Sequence, residues 1–501
     1  MAARPHGLST NPNEEVDLMK VIREVIKPRN KGGCLGLSTP VIVRFPHILK
    51  DRLESLQSAF DNAIRVTDYE ACFRGVYPVK CNQDCSVVES IVRFGKPYGF
   101  GLESGSKPEL LLSMASLCDG SPHSLLICNG YKDSDYVCLA LLARKMMGLD
   151  CIIVLEQEEE LDLVLNISRK LCIEPVIGLR AKLHTKHAGH FGDTSGEKSK
   201  FGLTCSEIIQ VVSKLRNAGK LECLHLLHFH IGSQIPSLSV LNDGVTEATH
   251  IYCELALMGA CMKIIDIGGG LGIDYDGTNS THSNMSIGYT MEEYALEVVQ
   301  AVKKACDKKG VKQPMLCSES GRALVSHHSV LVLDVIHSHL KNRVDVKGGV
   351  VALDLEGVPT DIKDLHARLL ECVKSFDYDM ALECGALLKN AGIERFKQGE
   401  ISLTQMAAIT NIYDAFVKHE GKSECIHDAI YHINLSIFKS MPDTWAIGQL
   451  FPIVPLHRLE EEPCVKAILS DLTCDSDGKI TSFVGKEDAI RGDGRDLNYI
   501  K

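Results

Sequence analysis

Between about residue 76 and residue 320 the chain repeats one pattern eight times, a short β-prone run followed by a stretch with helical spacing. The predicted strands are Val76–Cys81, Tyr98–Glu103, Ser124–Asn129, Cys151–Glu156, Pro175–Lys182, Leu224–Ile231, Lys263–Ile267 and Pro314–Glu319. Helices are predicted between them, for example over Ser134–Met147, with Val137, Leu139, Leu141 and Leu142 as apolar content, and over Cys205–Ala218. Strand–helix alternation makes a parallel sheet, and eight repeats over this length predict a (β/α)8 barrel. An open doubly wound sheet is the competing reading, but it needs a phosphate fingerprint in its first turn.

A barrel of this kind gathers its chemistry at the carboxyl ends of the strands. Those positions read Lys80, Glu103, Asn129, Glu156, Arg180, His230 with Ser233, Gly268-Gly269-Gly270, and Glu319 with Arg322. Lys80, in Val76-Tyr77-Pro78-Val79-Lys80-Cys81-Asn82, stands where an apolar run gives way to polar residues. Burial there is expected to lower its pKa toward a reactive neutral amine. Such an amine forms Schiff bases, and pyridoxal phosphate is the carbonyl most often held that way. Three consecutive glycines after the seventh strand let backbone N–H groups turn toward one anion, which favours phosphate over a plain turn. Ile273 occupies the place of a final fingerprint glycine, so the run is not a dinucleotide motif. Glu319 is placed to keep a pyridine nitrogen protonated, with Arg322 as a planar donor fork for the glutamate or a phosphate.

The sixth strand carries His225, His228 and His230. His228 and His230 share a face under the two-residue period, but no third ligand at metal spacing is apparent, so no metal site is predicted. His230, at the strand end, is expected to stack on a cofactor ring, and His228 to be a hydrogen-bonded core residue. Asp274-Tyr275-Asp276-Gly277 is not a calcium loop, because Met285 stands where the bidentate acid is needed.

A net charge of -11 argues against nucleic acid and anionic membrane as main partners. The 20 cysteines contain no C-x-x-C pair and read as reduced thiols of an intracellular protein. No apolar run suffices to span a bilayer, and residues 1–16 have neither signal-peptide nor convincing transit-peptide character, which points to the cytoplasm with the plastid as the alternative.

Together these segments resemble the barrel-type pyridoxal-phosphate decarboxylases, which include ornithine and diaminopimelate decarboxylases and are related to alanine racemase. Within that family the chain is most similar to plant-type biosynthetic arginine decarboxylases. Beyond the Lys80 segment, the resemblance is carried by Gly101-Leu102-Glu103-Ser104-Gly105-Ser106-Lys107-Pro108-Glu109, Ser195-Gly196-Glu197-Lys198-Ser199-Lys200-Phe201-Gly202 and His228-Phe229-His230-Ile231-Gly232-Ser233. It continues in Asp266-Ile267-Gly268-Gly269-Gly270, Pro442-Asp443-Thr444-Trp445 and Leu472-Thr473-Cys474-Asp475-Ser476-Asp477-Gly478, and covers roughly residues 35 to 480.

The resemblance implies that Lys80 holds pyridoxal phosphate, that His230 stacks on its ring, and that Ser233 with Gly268, Gly269 and Gly270 takes the phosphate. It also implies that Glu103 and Arg322 belong to the cofactor site and that Glu319 pairs with the ring nitrogen. Cys474 would protonate the α-carbon, and Asp475 and Asp443 would bind the distal cation of L-arginine. Cys474 and Asp475 would come from the second subunit of a homodimer or higher homo-oligomer. Decarboxylation to agmatine would feed putrescine and spermidine synthesis, with magnesium as an associated ion. The implied architecture is a polar arm over 1–39, a barrel over 40–340, a helical insert over 341–424 (its core near Leu365–His419), and a partial β-sandwich with a polar tail over 425–501.

The chain departs from the family before Pro40 and after the Cys474 segment. Only a polar arm is expected in place of further N-terminal strands, and Arg491–Asp496 reads as a polar tail in which Tyr499 lacks its usual context. Cys85 stands where an arginine is usual. Two alternatives therefore accompany decarboxylation of arginine: a truncated, non-catalytic dimer partner, and the same chemistry on another amino acid such as ornithine or diaminopimelate.

Overall fold

The computed structural model describes residues 2–3, 15–26, 36–118, 120, 123–185, 199–280, 283, 285–340, 353–419, 429–461, 465–484 and 499–500. Two compact units divide the chain. The first comprises Met1–Asp334, Ile437–Glu461 and Ser482–Leu497, and the second Val335–Ser436, Glu462–Thr481 and Asn498–Lys501.

The first unit holds the predicted barrel. Its strands are β1 (Phe73–Pro78), β2 (Gly101–Ser104), β3 (Leu125–Cys128), β4 (Asp150–Leu155), β5 (Ile177–Arg180), β6 (Leu224–His228), β7 (Ile264–Asp266) and β8 (Met315–Ser318). They pair in chain order into a closed sheet, and β8 closes in parallel on β1 with Leu316 opposite Phe73 and Ser318 opposite Gly75. Side-chain parity sorts the residues. Val76, Leu125, Ile127, Val154, Leu226 and Cys317 belong to one small buried cluster, which lines the barrel interior. Their immediate neighbours, such as Tyr77, Leu126, Cys128, Leu155 and Leu227, join the much larger cluster shared with the surrounding helices.

Local sequence sets the helix ends. Ser134–Met147 begins where the Asp133 side chain accepts from the Tyr136 N–H, and ends at Gly148 with φ 68°. Capping boxes open two more helices, Thr204 with Glu207 before Cys205–Asn217 and Thr290 with Glu293 before Met291–Lys309.

Three expectations need correction. The first strand begins earlier than Val76, because Phe73 and Arg74 pair with Leu316 and Cys317, and stops at Pro78, where its pairing with β2 ends opposite Glu103. Lys80 therefore lies in the single 3-10 turn Val79–Cys81 just beyond the strand. The sixth strand ends at His228, so His230 lies in the loop after it. The amino-terminal arm is not wholly polar: Leu18–Ile26 is an amphipathic helix that buries Leu18 and Ile22. Much of the rest of the arm, and the expected tail over Arg491–Asp496, lie outside the described residues.

The second unit contains a mixed sheet and a helical bundle. Val335–Leu340 pairs antiparallel with Ala429–Ile433, which runs parallel to Val465–Ser470, and that strand pairs antiparallel with Lys479–Ile480. Tyr499–Ile500 adds an antiparallel pairing to Val465–Lys466, so Tyr499 does find a strand partner. Thr360–Lys374, Tyr378–Lys397 and Leu403–His419 form the helical segment expected there, packed around Ile362, Leu369, Leu388 and Ile409.

Candidate active site

The parity that lines the barrel interior also selects the site. Two residues beyond Ile127, Val154, Leu226, Ile264 and Cys317 stand Asn129, Glu156, His228, Asp266 and Glu319. Glu103 holds the same relation to Gly101, where a side chain would collide with the Leu125 carbonyl. The top layer of the barrel is thus polar where the layer below is aliphatic.

One line of polar contacts crosses this layer, hydrogen-bonded from Lys80 as far as Glu319. Lys80 Nζ lies 3.2 Å from Glu103 Oε2. Glu103 Oε1 accepts from Asn129 Nδ2 at 3.1 Å, and the same Nδ2 donates to Glu319 Oε1 at 2.7 Å. Glu319 Oε1 is 3.8 Å from His228 Nδ1, which is 3.4 Å from Asp266 Oδ2. Glu103, Asn129, His228, Asp266 and Glu319 are all buried, while the Lys80 side chain is 57% exposed at the mouth.

Charge follows from this geometry. Burial pulls the Lys80 ammonium down, but Glu103 and Glu319 outweigh it and hold it above the ordinary lysine range. The expected lowering is therefore corrected for the cofactor-free protein, because two carboxylates face the amine. Glu319 is pushed up to about 8, chiefly by burial and then by the Asp266 charge, with His228 and Lys80 opposing. For His228, burial works against the charged form, and Glu319 and Asp266 reverse it, so it too is raised.

Asp266 stands beside His228 as the third partner that spacing alone did not reveal. His228, Asp266 and Glu319 offer ligand atoms all within 4.8 Å of one another. The available signal was an acid two positions beyond Ile264 in an otherwise apolar strand. Behind Asn129, Glu156 is held low by Arg180 and Lys132 against the opposing effect of burial, and Arg180 Nη1 lies 3.1 Å from its Oε2. Lys132 is wholly buried, with Nζ 2.6 Å from the Gly130 carbonyl oxygen and 3.3 Å from Glu160 Oε2. That engagement makes it a poor alternative to Lys80.

The glycine run forms a tight cradle. Gly268 and Gly270 have φ of +66° and +108°, and side chains on them would meet the carbonyl oxygens of Phe229 and Gly232. On Gly269 a Cβ would stand 2.9 Å from the Glu319 carbonyl oxygen. The loop after β6 and the loop after β7 are locked together: Ile235 N donates to Gly270 O at 2.9 Å, and Gln234 exchanges hydrogen bonds with Ile273. This brings partly buried His230 and Ser233 beside the glycines, with His230 Nδ1 3.2 Å from the Cβ position of Gly268. Gly268 N–H is already given to Asp266 Oδ1 at 2.9 Å.

Arg322, on the short helix Gly321–Val325, hydrogen-bonds the Tyr275 side chain, whose hydroxyl is raised first by burial and further by Asp443. Asp443 is exposed on Pro442–Ala446. Cys474 and Asp475 belong to the second unit, exposed in the turn between Val465–Ser470 and Lys479–Ile480. Asp471 pins that turn by accepting from Thr473 N and Oγ1, and Gly478 N donates to Asp475 O. Ser195–Lys198 lies outside the described residues.

Residues 51–326 match the family described as pyridoxal-dependent decarboxylase, pyridoxal binding domain. Arginine decarboxylase 1B of Nicotiana tabacum, described as chloroplastic, is 56% identical over 490 residues, covering 98% of this chain and 67% of the relative. Arginine decarboxylase 2 of Arabidopsis thaliana is 53% identical over 493 residues, covering 98% and 68%. The chain thus spans about two thirds of the length of these relatives. The crystal structure of the biosynthetic arginine decarboxylase of Campylobacter jejuni superposes with a TM-score of 0.78 at 32% identity, covering 94% of this chain and 76% of that one. The family match takes in more than half of the chain, including all eight barrel strands, and the plant relatives align over 98% of it; the chain belongs to the pyridoxal-dependent decarboxylase family, beside the plant arginine decarboxylases.

Proposed function

We propose that the protein decarboxylates L-arginine to agmatine and carbon dioxide with pyridoxal phosphate, a step that supplies polyamine synthesis. One observation carries the cofactor reading: the line from Lys80 through Glu103 and Asn129 to Glu319, with a glycine loop beside it whose backbone packs too closely for any Cβ. Amine, anion cradle and buried carboxylic acid are the donor set that this cofactor needs. The substrate reading rests on more than 50% identity to plant arginine decarboxylases across 98% of the chain.

When bound, pyridoxal phosphate supplies an aldehyde that joins to amines and a ring that accepts the electron pair freed as carbon dioxide leaves. Lys80 is the amine that carries it, and Glu103 Oε2 is the base that takes the Nζ proton. Glu319, protonated near neutral pH in the free protein, would hold the proton at the ring nitrogen, with Asp266 favouring and His228 opposing its protonated form. Ser233 and the amides of Gly269 and Gly270 hold the phosphate, since the Gly268 N–H is engaged by Asp266. His230 would pack against the cofactor ring, and Arg322 is held at the rim by its hydrogen bond to Tyr275.

Asp443, with Asp475 of a second copy, would serve the guanidinium of the substrate, and Cys474 of that second copy would deliver the proton to the α-carbon. Magnesium is expected from the resemblance. The buried imidazole and two carboxylates of His228, Asp266 and Glu319 suit proton sharing better than an ion that prefers oxygen and water. Among the described residues no helix is long and apolar enough to cross a membrane. The chloroplastic relatives support the plastid as the compartment, beside the cytoplasm.

The deciding assay follows labelled carbon dioxide and agmatine from arginine, with ornithine and diaminopimelate in parallel, on purified protein loaded with cofactor. Release from arginine at least about tenfold faster than from the others is the expected result; a tenfold ratio corresponds to about 1.4 kcal/mol between the barriers. Release from ornithine alone would reassign the substrate, and none from any would favour the dimer-partner reading.

A further inference from the structure

Among the buried groups of the polar layer to which the mechanism gives no task, Asn129 is the one that joins two carboxylates of the site. Asn129 is 5% exposed and fixed by its main chain: its N–H donates to Ser104 O at 2.9 Å, and its carbonyl accepts from the Tyr136 hydroxyl at 3.3 Å. Its Nδ2 reaches two different carboxylates, Glu103 at 3.1 Å and Glu319 at 2.7 Å, while its Oδ1 is buried without a hydrogen-bond partner. Reversing the amide would set an oxygen against both carboxylates. The observed orientation instead gives each carboxyl group a donor.

An amide can donate to two acids and accept a proton from neither at neutral pH. The carboxylates it joins are the ones facing Lys80 and His228, with Asp266 behind the histidine. On the other side stand Glu156 and Arg180, with Lys132 locked to Glu160 beneath. We propose that Asn129 is a positioning residue for the reaction, a neutral double donor that holds Glu103 and Glu319 in register and keeps their protons from passing between the amine end and the ring end of the site. The inference rests on the cofactor reading given above.

Asn129→Asp keeps the shape but replaces donor hydrogens with an ionisable oxygen facing two acids. In the cofactor-loaded enzyme, kcat for arginine should fall at least about 30-fold at pH 8 with KM within about threefold. The deficit should shrink to under about fivefold near pH 6, where the introduced acid is protonated, because like charges raise its pKa. The visible band of the bound cofactor should titrate about one pH unit or more higher than in the parent, since removing donors from Glu319 favours its protonated form. Asn129→Ala should shift the band the same way, and Asn129→Gln, which retains both donors, should restore the parent titration.

A parent-like band titration in both Asn129→Asp and Asn129→Ala overturns the proposal. So does a loss of kcat in Asn129→Asp that is equal at every pH, which marks a purely structural residue. The band titration is read without turnover, so a parent that binds cofactor but leaves arginine intact refutes the substrate assignment and still judges Asn129.

Discussion

Lys80 must lose a proton that its surroundings hold tightly before it can act as a nucleophile. Partial desolvation favours loss of that proton, but Glu103 at 3.2 Å and Glu319 outweigh it, so amine and base form one unit whose charge would move when the cofactor joins. Replacing Lys80 with Ala should abolish the visible band and carbon dioxide release together; either one surviving in purified Lys80→Ala would transfer the role to another lysine. Glu319 is the second residue on which the reading stands. Glu319→Gln should bind cofactor and slow decarboxylation by roughly three orders of magnitude, since the amide cannot keep the ring nitrogen protonated. A second readout needs no cofactor. Glu319 keeps its proton to about pH 8 when folded against an ordinary 4.5, so the associated stability is present below the lower value and is lost as pH rises through the higher. His228, also raised, acts in the same direction. The melting temperature of the cofactor-free parent should fall over this window, and that of Glu319→Gln should fall less steeply; identical slopes would show that Glu319 is already ionised.

At the scale of elements, function depends on where strands stop. Ser134–Met147 was readable to the residue because Asp133 caps it and Gly148 ends it. Strand ends were less sharp: Val79–Cys81 has β-like composition, yet turns where pairing to β2 ends, at Pro78 opposite Glu103. The chemistry at those ends was legible in sequence because one acid, amide or basic residue follows each apolar run. Asp266 and the linking role of Asn129 were not, since both depend on which face each residue takes in the closed barrel. The glycine cradle gives the prediction belonging here. At Gly270 the φ of +108° and the approach of Gly232 O and Ile235 leave no room for a Cβ. Gly270→Ala should weaken cofactor binding at least about tenfold, or about 1.4 kcal/mol, by moving the loop it anchors. Cofactor titration followed by absorbance tests this, and an unchanged dissociation constant would remove the cradle from the phosphate site.

Over the whole molecule, sequence order conceals how the second unit is assembled. Val335–Leu340 finds its partner Ala429–Ile433 only after three intervening helices, and Tyr499–Ile500 pairs back to Val465–Lys466. No local periodicity announces such pairings, whereas the barrel repeats one rule eight times. This second unit carries Cys474 and Asp475, and the proposed chemistry requires them to serve the barrel of another copy. A site shared in that way permits complementation. Lys80→Ala and Cys474→Ala should each be inactive in agmatine formation alone, because the first lacks the amine and the second the proton donor. In an equal mixture that exchanges subunits, heterodimers contain one site with both lesions and one with none, so about a quarter of the parent activity should return if assembly is random. Agmatine formation before and after mixing, with exchange followed by differently tagged chains, measures this. Exchange without recovered activity would place Cys474 outside the shared site, while activity of Cys474→Ala by itself would show that another group protonates the product.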